Sequence, residues 1–245
     1  MKISFCQTCK NRLYQLDKTI FKNLESIKKD GNSELVLVNY GDTEGLDDFI
    51  NKYFLFDIRD KALIYLKRDN VDFFEMSKAK NLSHFGATGD YLFNLDADNF
   101  INNEINSYRN VWSKYPNSLI HGMTNSKNFN DGSYGRIGIK KEIFNDLGGY
   151  DEDFIGIYYE DTDLINRCLL SKMPYAQITS NEKVCIENTR KEAIQFTKFK
   201  NYNQDDYYCK NRMISIKKLN NGELKRNLNR KKIKIMKNFI EEIEV

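Results

Sequence analysis

The feature that most constrains this chain is an alternation, through its first half, of short apolar runs with longer stretches of helical periodicity. Runs at Ile3 to Cys6, Leu35 to Asn39, Ala62 to Leu66, Tyr91 to Leu95 and Leu119 to Gly122 read as strands. Between the first two, Leu13, Leu16, Ile20, Leu24 and Ile27 recur every three or four residues and predict a helix with one apolar face. A second helix is expected over about Phe74 to Ala87, a short one from Lys141, and another from near Asp161 to Ser171. This order predicts an α/β fold with a mostly parallel central sheet flanked by helices. In such sheets ligands lie beyond the carboxyl ends of the strands, so the residues after each run are the ones to inspect. Those include Gln7 to Arg12, Asn39 to Asp42 and Asp96 to Asn99.

Composition narrows the class further. With 245 residues, 40% hydrophobic and 30% charged, the chain can bury a core without staples and is not disordered. Five cysteines, an odd number, fit a disulfide framework poorly, and the N-terminus enters a strand pattern without a signal-like apolar segment. No apolar run is long enough to span a bilayer, so a soluble, cytoplasmic protein is expected. The net charge of +3 is lopsided. Residues 217 to 237 carry nine cations against the single anion Glu223, leaving the remainder net acidic.

The strongest local signal is Tyr91-Leu92-Phe93-Asn94-Leu95-Asp96-Ala97-Asp98: a buried strand ending in two carboxylates one residue apart. Like charges so placed call for a cation, and hard oxygen ligands suit Mg2+ or Mn2+. A pair of turn residues is the plainer alternative. The second signal is Gly148-Gly149-Tyr150-Asp151-Glu152-Asp153-Phe154 followed by Glu160-Asp161-Thr162-Asp163-Leu164. Acids at a helix start are ordinary capping chemistry, but a carboxylate pinned there can also take a proton from a hydroxyl.

Taken together, these blocks resemble the GT-A fold glycosyltransferases, especially family 2 enzymes and the related galactosyltransferase C-terminal motif. The resemblance covers roughly residues 1 to 190. It includes Ser4 to Arg12, Leu35 to Asp42, Ala79-Lys80-Asn81, Ala87-Thr88-Gly89-Asp90-Tyr91 with Leu95 to Asp98, and Phe144 to Phe154 with Glu160 to Leu164 and Arg167. It implies a GT-A catalytic domain over 1–190 and a helical, basic extension over 191–245. It further implies an inverting, metal-dependent transfer from a nucleotide-sugar, foremost a UDP-sugar, to a saccharide or lipid-linked saccharide acceptor in surface glycan biosynthesis. In that scheme Thr8, Arg12, Asp42, Asn81 and Asp96 contact the nucleotide. Asp98, Asp96 and Glu187 hold Mn2+ or Mg2+, Asp161 is the general base and Glu160 hydrogen-bonds the acceptor. The sequence departs from the family where a metal-binding His is common. Val184-Cys185-Ile186-Glu187-Asn188-Thr189 stands there, with Glu187 as the substitute oxygen ligand. Gly156-Ile157-Tyr158-Tyr159 replaces a Trp/Gly-rich stretch ahead of Glu160.

Other readings carry less weight. Cys6-Gln7-Thr8-Cys9 sits where a redox pair would sit, but the blocks above already explain that turn. A zinc site lacks ligands, since His84 and His121 are the only histidines. His84 is expected to be structural, and His121, at a strand end, is a weaker candidate for the acceptor pocket. A sugar-nucleotide nucleotidyltransferase would carry a glycine-rich phosphate loop after the first strand, and Gln7 to Arg12 has no glycine. A non-catalytic module acting through the basic tail leaves the acidic blocks unexplained. The tail itself has three readings. It is a solvated helix face with Ile233, Met236, Phe239 and Ile240 as its apolar stripe, a surface for anionic membrane, or a nucleic-acid contact for which no motif is present.

Overall fold

The computed structural model describes residues 1–124, 132–199 and 201–245; the loop expected over Asn125 to Gly135 lies outside them as far as residue 131. Four parallel strands form the centre: β1 (Ile3–Cys9), β2 (Ser33–Tyr40), β3 (Leu63–Arg68) and β4 (Tyr91–Asn94). Helix α1 (Leu13–Asp30) joins β1 to β2 and buries Leu16, Ile20, Leu24 and Ile27, the stripe its spacing predicts. It stops at Gly31, whose φ of 70° is the left-handed conformation that ends helices. Helices α2 (Leu46–Tyr53) and α3 (Leu55–Arg59) lead into β3, and α4 (Met76–Phe85) leads into β4. Then follow α5 (Ile105–Lys114), β5 (Leu119–Thr124), β6 (Ile137–Lys140), α6 (Lys141–Asp146), α7 (Glu160–Leu170), β7 (Tyr175–Ser180), α8 (Arg190–Ile194), α9 (Gln204–Asn220), β8 (Lys234–Lys237) and β9 (Glu241–Glu244).

The nine strands described make one sheet in the order β7-β5-β6-β4-β1-β2-β3-β8-β9. β6 runs antiparallel to β4 and β5, and the β8–β9 hairpin adds antiparallel to β3. Side chains alternate between two cores, as strand geometry requires. Phe5, Leu35 and Leu37 join one core with Leu16, Ile20 and Ile50; Cys6, Val36 and Val38 join the other with Leu82, Leu92 and Leu164. The same alternation sends Cys6 and Cys9 to opposite faces, so they do not form a redox pair. Both thiols are buried, which pushes Cys9 up to about 12 and makes it a poor nucleophile.

The tail corrects the expectation of an all-helical extension. α8 and α9 are helical, but Lys234–Lys237 and Glu241–Glu244 are strands. The turn between them is closed by Ile240 N–H donating to Lys237 O at 3.0 Å, with Asn238 and Phe239 at φ 52° and 62°. Positive φ at both central residues suits a tight hairpin. Ile233, Ile235, Ile243 and Val245 all pack toward one core, a period of two that the Lys-rich composition disguised. Ile240, assigned to an apolar stripe, is 85% exposed.

The basic segment turns inward at Lys218, Arg226 and Arg230 and stays at the surface at Lys225 and Lys234. Six of its nine cations make ion pairs: Lys218 with Asp151 and Asp153, Lys225 with Asp146, Arg226 with Asp151 and Asp163, Arg230 with Glu152, Lys234 with Glu242, and Lys237 with Glu241. Among the described residues no helix is long and apolar enough to cross a membrane.

Candidate active site

The carboxyl ends of β1, β2 and β4 gather the first group of expected residues. Gln7, buried in β1, donates from Nε2 to the Asp96 carbonyl at 2.9 Å and so fixes the turn after β4. Thr8 lies nearly buried in the same strand. Asp42 accepts from the backbone N–H of Asn11 at 2.6 Å, Glu44 at 2.8 Å and Leu46 at 3.1 Å, tying the loop after β2 to the loop after β1. Lys10 strengthens that tie by donating to the carbonyls of Gly41 and Val71, both at 2.7 Å. Arg12 spans toward the C-terminal half, donating to the Glu192 carbonyl at 2.6 Å and to Gln15 Oε1 at 3.1 Å.

Asp98 is buried, and burial together with the neighbouring Asp96 charge pushes its carboxyl up to about 6, against weaker opposition from Asn99, Arg12 and Asn188. Asn99 Nδ2 donates to its Oδ1 at 2.6 Å and Asn188 Nδ2 to its Oδ2, while Gln15 Nε2 donates to Asn188 Oδ1. Glu187 is exposed, and it is the next residue, Asn188, whose side chain reaches Asp98. Among the described residues no group of three or more His, Cys, Asp or Glu could hold a metal. Two close carboxylates still fit a hard divalent cation that keeps water and substrate phosphate in its remaining positions. The raised Asp98 carboxyl marks the unneutralised charge such an ion would relieve.

The second group lies across the site. Glu160 and Asp161 open α7, and Lys80, from α4, reaches both: its Nζ is 2.9 Å from Glu160 Oε1 and 2.8 Å from each Asp161 oxygen. The lysine is fully buried. Burial alone would lower its ammonium, but Asp161, Glu160 and Asp96 outweigh that and hold it well above the ordinary lysine range. One cation cannot neutralise three carboxylates. Burial, with Glu160 and Asp96 adding to it against Lys80, leaves Asp161 pushed up to about 7. A carboxylate that ionises near neutral pH is matched to accepting a proton.

Gly135 brings the two groups together. A Cβ placed on it would stand 3.0 Å from Asp161 Oδ2 and 3.0 Å from Asp96 Oδ2, so the two acids face each other across this one residue. Asn94 holds the same glycine by donating to its carbonyl at 2.8 Å. Behind Asp161, the Gly148-Gly149 turn is built for close approach. Both residues have left-handed φ, 73° and 71°, and a Cβ on the first would meet Arg226 O at 2.0 Å and on the second Asn81 Oδ1 at 2.4 Å. Asn81 is consumed here: Nδ2 donates to Tyr150 O and Glu152 Oε1, and Oδ1 accepts from Tyr150 N–H. Its amide supports the loop instead of opening toward a ligand.

A buried ion network carries α7. Arg167 Nε donates to Asp163 Oδ2 at 2.7 Å, and Arg226 NH2 donates to Asp163 Oδ1 at 3.0 Å. Arg226 Nε also stands 2.8 Å from Asp151 Oδ2 as an ion pair, out of line for a hydrogen bond. His84 is structural as expected: it is stacked on Phe144 at 4.8 Å, and burial lowers its imidazole to about 3. His121 is buried with both ring nitrogens engaged, by Tyr175 OH at 2.9 Å and Tyr134 O at 2.7 Å.

No family model matches the sequence, and no curated protein matches it at the sequence level. Solved structures do match in shape. S. aureus TarS 1-349 in complex with UDP superposes with a TM-score of 0.58 at 16% identity, covering 94% of this chain and 76% of that one. What is shared is a mixed, mostly parallel central sheet flanked by helices. This is a GT-A fold. The GT-A mannosyltransferase PcManGT from Pyrobaculum calidifontis, in complex with GDP-Man and Mn2+, gives 0.58 at 18% identity over 76% of this chain. Drosophila beta1,4galactosyltransferase 7 with xylobiose gives 0.54 at 15% identity over 84% of this chain and 78% of that one. The chain spans 38% of the S. aureus TarS chain and 56% of the mannosyltransferase.

Two residues stand out that the sequence reading passed over. Lys80 sits inside the quoted Ala79-Lys80-Asn81 block, yet only its neighbour drew a role; a lysine in an otherwise buried helix face was the available signal. Asn188, next to the expected metal ligand Glu187, donates to Asp98, and a neutral amide beside an acid gave no signal of that contact.

Proposed function

We propose that the chain is an inverting glycosyltransferase that moves a hexosyl or N-acetylhexosaminyl group from a nucleotide-sugar, foremost a UDP-sugar, to a saccharide or lipid-linked saccharide acceptor of a surface glycan. The observation that carries this reading is the convergence of Asp96 and Asp161 on Gly135, with Lys80 beneath Asp161.

In this reading Thr8, Arg12 and Asp42 flank the nucleotide, and Asn81 acts indirectly through the Gly149 to Glu152 loop. Asp96 and Asp98 would hold Mn2+ or Mg2+, which supplies Lewis-acid stabilisation of the departing diphosphate. Asp161 takes the proton of the acceptor hydroxyl, and Glu160 accepts a hydrogen bond from the acceptor sugar. The acceptor oxygen forms its bond to the anomeric carbon as the bond from that carbon to the diphosphate oxygen breaks, the electron pair leaving with the diphosphate. Lys80 keeps Asp161 aimed and charged. Glu187, exposed and next to the Asn188 link to Asp98, would add a further oxygen ligand to that cation. Membrane contact through residues 217–237 would rest on the cations that stay at the surface, because Lys218, Arg226 and Arg230 are paired within the fold.

The test is a screen of UDP-, GDP- and dTDP-sugars for transfer or hydrolysis with and without Mn2+ or Mg2+. Metal-dependent release of one nucleoside diphosphate is expected; no turnover of any donor with either metal sinks the proposal.

A further inference from the structure

Helix α9 belongs to none of the recognisable motifs, yet it grips the segment that launches α7. Asn211, fully buried on α9, shares the two hydrogens of Nδ2 among three nearby carbonyl groups, Ile155 at 3.1 Å, Ile157 at 3.2 Å and Tyr158 at 2.8 Å. Its Oδ1 accepts from the Ile155 N–H at 2.9 Å. One turn earlier, the ring of Tyr207 fills the space beside Gly156, where a Cβ would stand 2.4 Å from it. Tyr207 is itself fixed, donating to Thr197 Oγ1 at 2.6 Å and accepting from Phe199 N–H at 3.1 Å.

What this grip holds is unusual backbone. Tyr158 and Tyr159 are consecutive non-glycine residues with φ of 74° and 75°, a conformation in which the Cβ crowds the carbonyl. Such strain persists only where surrounding contacts over-determine it. Tyr159 is the residue from which α7 departs, and its carbonyl accepts the Asp163 N–H at 2.9 Å. The next two residues are Glu160 and Asp161. On the other side, the Gly156 carbonyl accepts the Met76 N–H at 2.8 Å, at the start of the helix that carries Lys80. The same short segment therefore sets the relative placement of the lysine and the two acids.

We propose that Asn211 is a positioning residue for the acceptor half of the site. By capturing four backbone groups of residues 155–158, it holds Tyr158 and Tyr159 left-handed and fixes where α7 begins, hence how Asp161 and Glu160 meet Lys80. The catalytic consequence rests on the glycosyltransferase reading; the backbone clamp does not.

The experiment pairs amide hydrogen exchange with kinetics on Asn211→Ala in the full chain. Exchange at the Ile155 amide is expected to quicken at least about 30-fold while amides of β1 and β2 stay unchanged, since only the local opening is affected. The kcat for transfer is expected to fall about 10-fold or more with nucleotide affinity within about twofold of wild type, because the acceptor side alone is displaced. Adding Tyr158→Gly and Tyr159→Gly to that variant is expected to recover part of the lost kcat, since glycine adopts this φ freely. Unchanged Ile155 exchange, unchanged kcat, or nucleotide affinity falling in step with kcat overturns the proposal. If Asn211→Ala does not fold, exchange in the wild-type protein decides: an Ile155 amide that opens together with α9 supports the clamp, and one that opens far more readily refutes it. If the wild type transfers no sugar, the glycosyltransferase reading fails, and the exchange arm still decides the clamp.

Discussion

Lys80 Nζ stands 2.8 Å from both carboxylate oxygens of Asp161, with neither residue in more than marginal contact with solvent. Buried ion pairs contribute little net stability when intact, but losing one partner strands the other. Lys80→Met would leave Glu160 and Asp161 facing each other without a cation. It is expected to cost about 3–5 kcal/mol in urea unfolding. Trp112, the single tryptophan, is buried and stacked on Tyr91, and its fluorescence reports the transition.

Asp161→Asn removes the proposed base but keeps the shape of the site and leaves Lys80 paired with Glu160. Transfer is expected to fall by about 10²–10⁴-fold, the usual contribution of general base catalysis, with nucleotide affinity nearly intact. Transfer at the wild-type rate would remove Asp161 from the mechanism.

The pH dependence follows from two raised carboxyls. Asp161 is pushed up to about 7, so transfer should rise with pH through that value as the base loses its proton. Asp98, pushed up to about 6, must likewise ionise before it can bind a cation, so the apparent affinity for Mn2+ should climb as pH rises toward 6 and level off above it. Stability runs the other way. Both groups bind protons more tightly folded than unfolded, so their contribution is fully present below about pH 4 and is lost as pH rises through 6 and 7. Rate profiles, metal titrations and melting curves across pH 4 to 8 check the three signs.

Gly135→Ala places a methyl group 3.0 Å from an oxygen of Asp96 and of Asp161. The acids must shift apart or turn away, and a displacement of this kind is expected to lower kcat by about 10²-fold while changing the melting temperature little. Normal turnover in that variant would mean the two acids do not act on one bound substrate.

Arg226→Met tests the role of the basic segment. Arg226 is buried between Asp151 and Asp163, so its loss is expected to destabilise by about 3–5 kcal/mol, a result a solvent-facing tail would not give.

The central sheet was legible because its strands are short, apolar and bounded, and because the α1 stripe admits one reading. Asp96, Asp98, Glu160 and Asp161 were legible because acids after buried strands and at helix starts are chemically conspicuous. What escaped depends on long-range contact. β7 is an edge strand whose residues alternate between exposed and half-buried, so Tyr175 to Ser180 offers no apolar run. The β8–β9 hairpin hid in lysine-rich sequence because its inward face needs only four aliphatic residues. Lys80, Asn188 and Asn211 carry ordinary side chains in ordinary surroundings, and their importance arises from partners 80, 90 and more than 50 residues away.

Arg226 donates to Asp163 across 63 residues of chain, and this separation sets an order of events during synthesis. β1 to β4 emerge well before the arginine that bridges Asp151 and Asp163 is made. Before Arg226 has left the ribosome Asp163 has Arg167 and Asp151 has Lys218, but the arginine that bridges the two acids is missing, and α7 is not yet tied to residue 226 in its final seat. The β1 to β4 side of the molecule is thus able to form early, whereas the half that carries Asp161 is completed last. Chains arrested before residue 226 should resist protease over β1 to β4 and be cut near α7, whereas protection of both halves at that length would disprove this sequence of assembly.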